Sequence, residues 1–426
     1  MATPDVADLA DLGLDEGGHL LVARALARLA PGDRLTVTGR HQALRVHLAA
    51  WCREHGHHLA DGDAPGATGP GSGFGAGAAA GAAARAGARA GAGAAPPLVV
   101  VKGSAGDRRW HGAVRAGDAG APEPRADQTW GLAARGALVE AGGPPIGAQW
   151  TEREHVWADI APRLYAAAAA SQWDPATAVD WAAPLGAVPE PVERAVVQIM
   201  TYLVENEQAA LIIPARLLSQ LHPHYREVMQ LLATQAADEA RHVEVFTRRA
   251  LLSGGPLGTS SAGGRASLQT LLAEPDFTTA SFLLSVLGEG TFLDLLRFIH
   301  DHAPDQVTAD VTRLAVRDEA RHVAFGVAHT AHLSRADNSY LGTLRNSVER
   351  RHATLLDTAG LNAEVFDSLV LLAAGSWSPE AIRRGWQEVC ELQGRMDEGR
   401  RRRLAYIGFP DDEAAELSAL HTRNFM

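Results

Sequence analysis

A chain of 426 residues with 46% hydrophobic content is long for one core and has ample apolar material for two packed domains. Its formal net charge of −11, without a stripe of basic residues, excludes a nucleic-acid-binding surface, and no apolar run approaches the length of a membrane span. The two cysteines, Cys52 and Cys390, have neither disulfide nor metal-ligand spacing, and nothing at Met1–Ala10 reads as a secretion signal, so a soluble cytoplasmic protein is expected.

Residues 1–115 read as a small α/β domain. Leu20–Leu29 has helical spacing and is stopped by Pro31 and Gly32, Arg34–Thr38 alternates like a strand, and His41–Glu54 is helical up to Gly56. The runs ARALARLAPGDRLTV (23–37) and AWCREHGHHL (50–59) resemble the TusA-like sulfur carriers. In that family a Cys-Pro pair opens the first helix, whereas the matching stretch here, Gly13–Gly18, holds no cysteine. The resemblance therefore implies a docking or regulatory unit rather than a sulfur carrier. Cys52, inside the second helix, reads as a small core thiol.

The Gly/Ala/Pro tract at 62–97 has too few large apolar side chains to offset the entropy of ordering, and reads as a disordered insertion within that domain. Leu98–Lys102 and Arg108–Val114 read as strands, and residues 116–149 as a Gly- and Pro-rich linker. Lys102 is the only lysine in the chain; arginine fills every other such position.

From Trp150 to the end, residues 150–426, the pattern is helical. Helices are expected over Glu152–Trp173, Pro189–Leu221, Pro223–Leu252, Asp276–His302 and Pro304–Ser334, with a Gly/Ser-rich loop at 253–264 and three or four further helices to about Leu420. Pro214 is expected to bend or end its helix. The basic run Arg400–Arg403, beside Asp397 and Glu398, reads as a solvated helix face.

Within this part the pentapeptide Asp-Glu-Ala-Arg-His occurs twice, at 238–242 and 318–322. Each copy sets a Glu and a His three residues apart, Glu239 with His242 and Glu319 with His322, on one face of a helix where both can reach one metal ion. Each copy also follows a carboxylate placed on an apolar stripe. Glu207 lies 32 residues before Glu239, and Glu289 lies 30 before Glu319. Glu205 competes with Glu207, but it aligns with Arg194, Gln198 and Thr201, whereas Glu207 shares its face with Val196, Met200, Leu203 and Leu211. A carboxylate on an apolar face is costly to bury unless it is paired or binds metal, which selects Glu207. A lone Glu-x-x-His is usually a surface pair; two copies with matched upstream carboxylates are not. Four carboxylates and two imidazoles suit iron or manganese.

These residues resemble the ferritin-like di-iron carboxylate superfamily, most closely its branch of ribonucleotide reductase small subunits and di-iron oxygenases. The resemblance covers residues 150–335 in detail. It implies a mainly α protein, a ferritin-like helical bundle preceded by the small α/β domain, with two iron ions (or manganese, or a mixed pair) held by Glu207, Glu239, His242, Glu289, Glu319 and His322. It further implies that Asp318 orients His242 and, by pseudo-symmetry, that Asp238 orients His322. The reductase subunits usually carry a radical-forming tyrosine four residues after the first ligand histidine; Phe246 stands there. The implied activity is a dioxygen-activating oxygenase or oxidase that hydroxylates, desaturates or N-oxygenates a small organic substrate, with specificity set by apolar residues such as Phe246, Phe292 and Phe325. Its expected partners are dioxygen, that substrate, an electron donor and a second copy of the chain. The alternatives are a ferroxidase or peroxide-removing protein, and a non-catalytic partner stabilised by metal. His300, His329 and His332 read as structural.

Overall fold

The computed structural model describes residues 5–60, 96–104, 109–355 and 363–420, so most of the tract at 62–97 lies outside the described residues. The chain divides into two compact units, residues 1–115 with 138–143, and residues 116–137 with 144–426.

The smaller unit is a two-layer α/β sandwich. Its strands are β1 (Asp5–Asp8), β2 (Arg34–Thr38), β3 (His58–Ala60) and β4 (Leu98–Val101), in the sheet order β1-β2-β4-β3. The parallel pairing of β1 with β2 requires a crossover, which α1 (His19–Ala27) supplies; the other pairs are antiparallel. With α2 (Leu44–Glu54), α1 buries Val22, Leu26, Leu48 and Cys52 against Leu35, Val37 and Val100. Burial pushes the Cys52 thiol up to about 11, as suits an inert core group. The strand expected over Arg108–Val114 is shorter and later. Residues 109–113 are turns, and only β5 (Val114–Arg115) pairs, with β6 (Leu138–Val139).

The larger unit is a helical bundle. After α3 (Ala161–Ala170) come two long antiparallel hairpins. The first joins α4 (Glu190–Gln220) to α5 (Arg226–Leu251). Then α6 (Ala262–Leu272) leads into the second, whose outgoing arm is α7 (Phe277–Ser281), a wide π-turn over Phe282–Glu289, and α8 (Gly290–Asp301). Its return arm is α9 (Gln306–Ala336). The tail is α10 (Tyr340–Leu355), α11 (Ala363–Ala374), α12 (Pro379–Ile407) and α13 (Asp411–Leu420), with α11 packed on α4 and α12 on α8. No helix among the described residues is long and apolar enough to cross a membrane.

Capping marks several starts. Asp276, Asp305 and Ser378 each accept a hydrogen bond from the backbone amide three residues on, opening α7, α9 and α12. One buried guanidinium ties the hairpins: Arg249 on α5 donates to both oxygens of Glu193 on α4 at 2.8 Å, to Asp305 at 2.7 Å and to Thr308 at 2.7 Å.

The larger unit also departs from the sequence reading at several places. Only Ala161–Ala170 of the helix expected over Glu152–Trp173 is α-helical, since the segment before it bridges to Arg125 and makes a short 3-10 turn. Pro214 neither ends nor breaks α4, which runs on for six residues; packing on both sides outweighs the one hydrogen bond lost to the ring. The loop expected at 253–264 is present but ends three residues early, where Ser261, whose side chain accepts from the Gly264 amide, opens α6. Arg400 and Arg403 are not on a solvated face. Arg400 is buried on Ser418, Arg403 turns inward to the Val286 carbonyl, and only Arg401 and Arg402 are exposed.

Candidate metal centre

The hairpins bring together the six residues that the sequence singles out. Glu207 comes from α4, Glu239 and His242 from α5, Glu289 from the last position of the π-turn, and Glu319 and His322 from α9; all are buried. They form two overlapping groups, Glu207, Glu239, His242 and Glu319, and Glu239, Glu289, Glu319 and His322. Within each group the potential ligand atoms all lie within 4.8 Å of one another. Glu239 and Glu319 belong to both.

Both imidazoles point Nδ1 into the cluster. His242 Nδ1 is 3.1 Å from Glu239, 3.2 Å from Glu319 and 3.5 Å from Glu207; His322 Nδ1 is 3.0 Å from Glu239 and 3.4 Å from Glu319. Few of these contacts have hydrogen-bond geometry. Glu207 Oε1, Glu239 Oε1, Glu289 Oε2, both Glu319 oxygens and His322 Nδ1 are buried without a hydrogen-bond partner among the described residues. Buried groups aimed at a common point rather than at donors fit a cation at that point.

The electrostatics agree. Burial, then the charges of Glu239 and Glu319, push the Glu207 carboxyl above its usual range, and burial with Glu319 takes Glu289 up to about 8. Burial would raise Glu319 as well, but the imidazoles of His322 and His242 bring it down to about 2. Burial disfavours charge on both histidines, yet the surrounding carboxylates, Asp318 among them for His242, hold the two rings well above their ordinary value. Without a cation the cluster retains protons; two divalent ions would displace them.

A second layer fixes the rings. His242 Nε2 faces Asp318 at 3.4 Å and His322 Nε2 faces Asp238 at 3.1 Å, each bond crossing from one hairpin to the other. The two aspartates are themselves clamped. Arg241 pairs with Asp238 and reaches Asp318 at 3.2 Å, while Arg321 pairs with Asp318 and reaches Asp238 at 3.1 Å. Burial opposes ionisation of both, but His322 holds Asp238 below the ordinary carboxylate range, and His242, Trp173 and Arg321 hold Asp318 far below it.

The sequence reading missed several participants. Trp173 donates its indole N–H to Asp318 at 2.7 Å and stacks on His242, with the Arg241 guanidinium 5.1 Å from its ring; no spacing pattern links position 173 to 318. Gln235, one turn before Glu239, donates to Glu289 at 3.0 Å. Arg403 Nε donates to the Val286 carbonyl at 2.7 Å, inside the π-turn that carries Glu289. A wide turn leaves carbonyls out of register, and Arg403 satisfies one of them. A Cβ on Gly290 would stand 2.5 Å from that guanidinium, which is why glycine follows Glu289.

A cavity of about 30 Å³, room for one water, borders Glu207, Glu289 and Glu319 and is walled by Leu268, Leu271, Leu284 and Phe292. Of the three phenylalanines expected to set specificity, Phe292 lines it. Phe246 is fully buried in the core beside His242, and Phe325 packs on His329. The remaining histidines stand away from the cluster: His300 bonds the Ala309 carbonyl, His329 bonds Trp157 and Thr278, and His332 pairs with Glu154.

No family model matches the chain, and no curated protein matches it. Among solved structures it is similar to an R2-like ligand-binding oxidase variant with an aerobically reconstituted Fe/Fe cofactor, at 17% identity and a TM-score of 0.47 over 58% of this chain and 93% of that one. A second variant of that oxidase, with an anaerobically reconstituted Mn/Fe cofactor, gives 17% identity and a TM-score of 0.46 over 58% and 93%.

Proposed function

We propose that the bundle is a dioxygen-activating oxidoreductase with a dinuclear centre of iron, or of iron and manganese, and that it oxidises a small apolar organic substrate. One observation carries this reading: two buried ligand groups share Glu239 and Glu319. That arrangement makes room for two ions side by side. The donor set of four carboxylates and two imidazoles fits hard divalent ions with positions left open. In the first position Glu207 and His242 would hold one ion, in the second Glu289 and His322 the other, with Glu239 and Glu319 between them. Bound there, the pair would supply electrons for dioxygen reduction and a Lewis-acid site.

The chain's own groups do the rest. Asp318 and Asp238 keep the Nε2 atoms of both rings engaged, so that each Nδ1 stays directed at the cluster. Arg241 and Arg321 hold those aspartates ionised and still. The leucines of α6 and the π-turn exclude water from the open side. Trp173, half-buried and hydrogen-bonded to Asp318, offers a route for electrons from a reductant at the surface.

A second reading, ferroxidase or peroxide removal, is favoured by one observation: the cavity beside the carboxylates is small, about 30 Å³. An organic substrate needs more space than this cavity offers. Oxygen uptake by the ferrous-loaded protein separates these readings from a metal-stabilised scaffold. Uptake that depends on Glu239 and Glu319 is expected, and unchanged uptake in Glu239→Ala/Glu319→Ala would refute both enzymatic readings. Among the enzymatic readings, faster uptake on adding an apolar substrate favours the oxygenase.

A further inference from the structure

The α/β unit contains a concave pocket of about 290 Å³, lined by α1 (Ala23, Leu26, Ala27), by Trp51, His55 and His57, and by Lys102, Arg109 and Trp110. We propose that it is a binding site for a planar ring bearing an anionic group, a carboxylate or a phosphate.

Two features of the lining select that class. The first is aromatic. Trp51 stacks on His55 at 4.4 Å and stands 5.5 Å from His57, and Trp110, 49% exposed, contributes a second indole. Such rings give a flat ligand large contact area at low entropic cost. The second is charge. Lys102, the only lysine of the chain, is 6% exposed, and no carboxylate pairs with it among the described residues. Its ammonium has three donors, and one goes to the Leu29 carbonyl at the end of α1. A buried ammonium without a counter-ion is costly, and an anion in the pocket relieves that cost.

The neighbouring groups suit an anion too. His57 Nδ1 accepts from the Gly103 amide at 3.1 Å, which holds its ring in place in the lining. Among the described residues no carboxylate lines the pocket. Among the described residues Arg109 engages Glu140 at 2.9 Å and Glu54 at 3.4 Å. A hydrophobic floor from Leu26 and Ala27 completes a site that is apolar at the base, aromatic at the sides and cationic at one edge. This site lies wholly within the small unit and does not depend on the metal centre.

The test is calorimetric titration of the full-length protein with benzoate, indole-3-carboxylate and AMP, each beside its uncharged counterpart, benzamide, indole-3-carboxamide and adenosine. At least one anion is expected to bind with one site per chain and about tenfold more tightly than its neutral partner. Trp110→Ala, at an exposed position, should keep the fold and weaken that binding about tenfold. Lys102→Met should remove the preference for the anion, checked on protein whose circular dichroism matches the parent. Three results would overturn the proposal: no anion binding below about 1 mM, equal affinity for charged and neutral partners, or binding unaffected by Trp110→Ala.

Discussion

Asp318 of the second hairpin faces Nε2 of His242 of the first at 3.4 Å, across 76 residues of sequence. Asp238 returns the contact to His322 at 3.1 Å, so neither hairpin can orient its own histidine. The site is assembled only when the two halves of the bundle close, which links folding of the core to readiness for metal. Asp318→Asn keeps the shape of the side chain but removes its charge. We expect metal affinity to fall about 10- to 100-fold, with the fold retained, as measured by competition with a chelator. Unchanged affinity would show that the aspartate serves only the arginines.

Glu239 and Glu319 are predicted to matter more than Glu207 and Glu289. Because each stands in both ligand groups, Glu319→Ala should reduce binding at both positions, whereas Glu289→Ala should spare one ion per chain. Metal analysis after desalting distinguishes these outcomes.

Arg403 acts at a distance from the cluster. Its Nε–H satisfies the Val286 carbonyl in the π-turn that ends at Glu289. Arg403→Met leaves that carbonyl without a donor, at a cost of about 1–3 kcal/mol. The expected result is a lower melting temperature together with weaker binding of the second ion; Arg403→Lys, which keeps a donor, should recover part of both. A loss of stability with intact two-ion loading would confine Arg403 to a packing role.

His329 gives a pH signature separate from the cluster. Burial brings its pKa down to about 4, from 6.5, while its ring bonds the Trp157 carbonyl and Thr278. A histidine depressed in the folded state contributes stability above its unfolded value and loses it as pH falls through 6.5 toward 4. The loss amounts to on the order of 3 kcal/mol at pH 4, and His329→Gln should flatten the stability profile in that window, as read by urea denaturation.

The wall formed by α6 sets how large a molecule reaches the carboxylates. Leu268→Ala removes a half-buried side chain from the cavity lining. Widened access should speed ferrous oxidation with bulky apolar additives present, and a variant indistinguishable from the parent would count against entry past α6.

Much of the cluster was legible because its pattern is local: Glu-x-x-His fits one turn of helix, and a carboxylate on an apolar stripe is costly to bury unless it is paired or meets a cation. The partnership of Asp318 with His242 was legible only through resemblance, since nothing near residue 242 points to residue 318. Trp173 and Arg403 were not legible. Their contacts join segments far apart in the chain, and a basic run reads as solvated until the helix beneath it is known to be packed. The π-turn at Phe282–Glu289 was hidden for a related reason: its apolar residues fit an ordinary helix, and only Arg403 and Gly290 in place make the wider turn stable. Pro214 shows the reverse case, a strong local signal overruled by packing along a helix buried on most sides.

The central claim is that six buried side chains hold two metal ions between them. Loading the protein with ferrous ion under anaerobic conditions, exposing it to dioxygen, and recording Mössbauer spectra on a sample with counted iron tests it most directly. About two irons per chain, coupled to each other after oxidation and absent from Glu239→Ala/Glu319→Ala, is the predicted result. One uncoupled iron per chain, or the same content in the double variant, would contradict it.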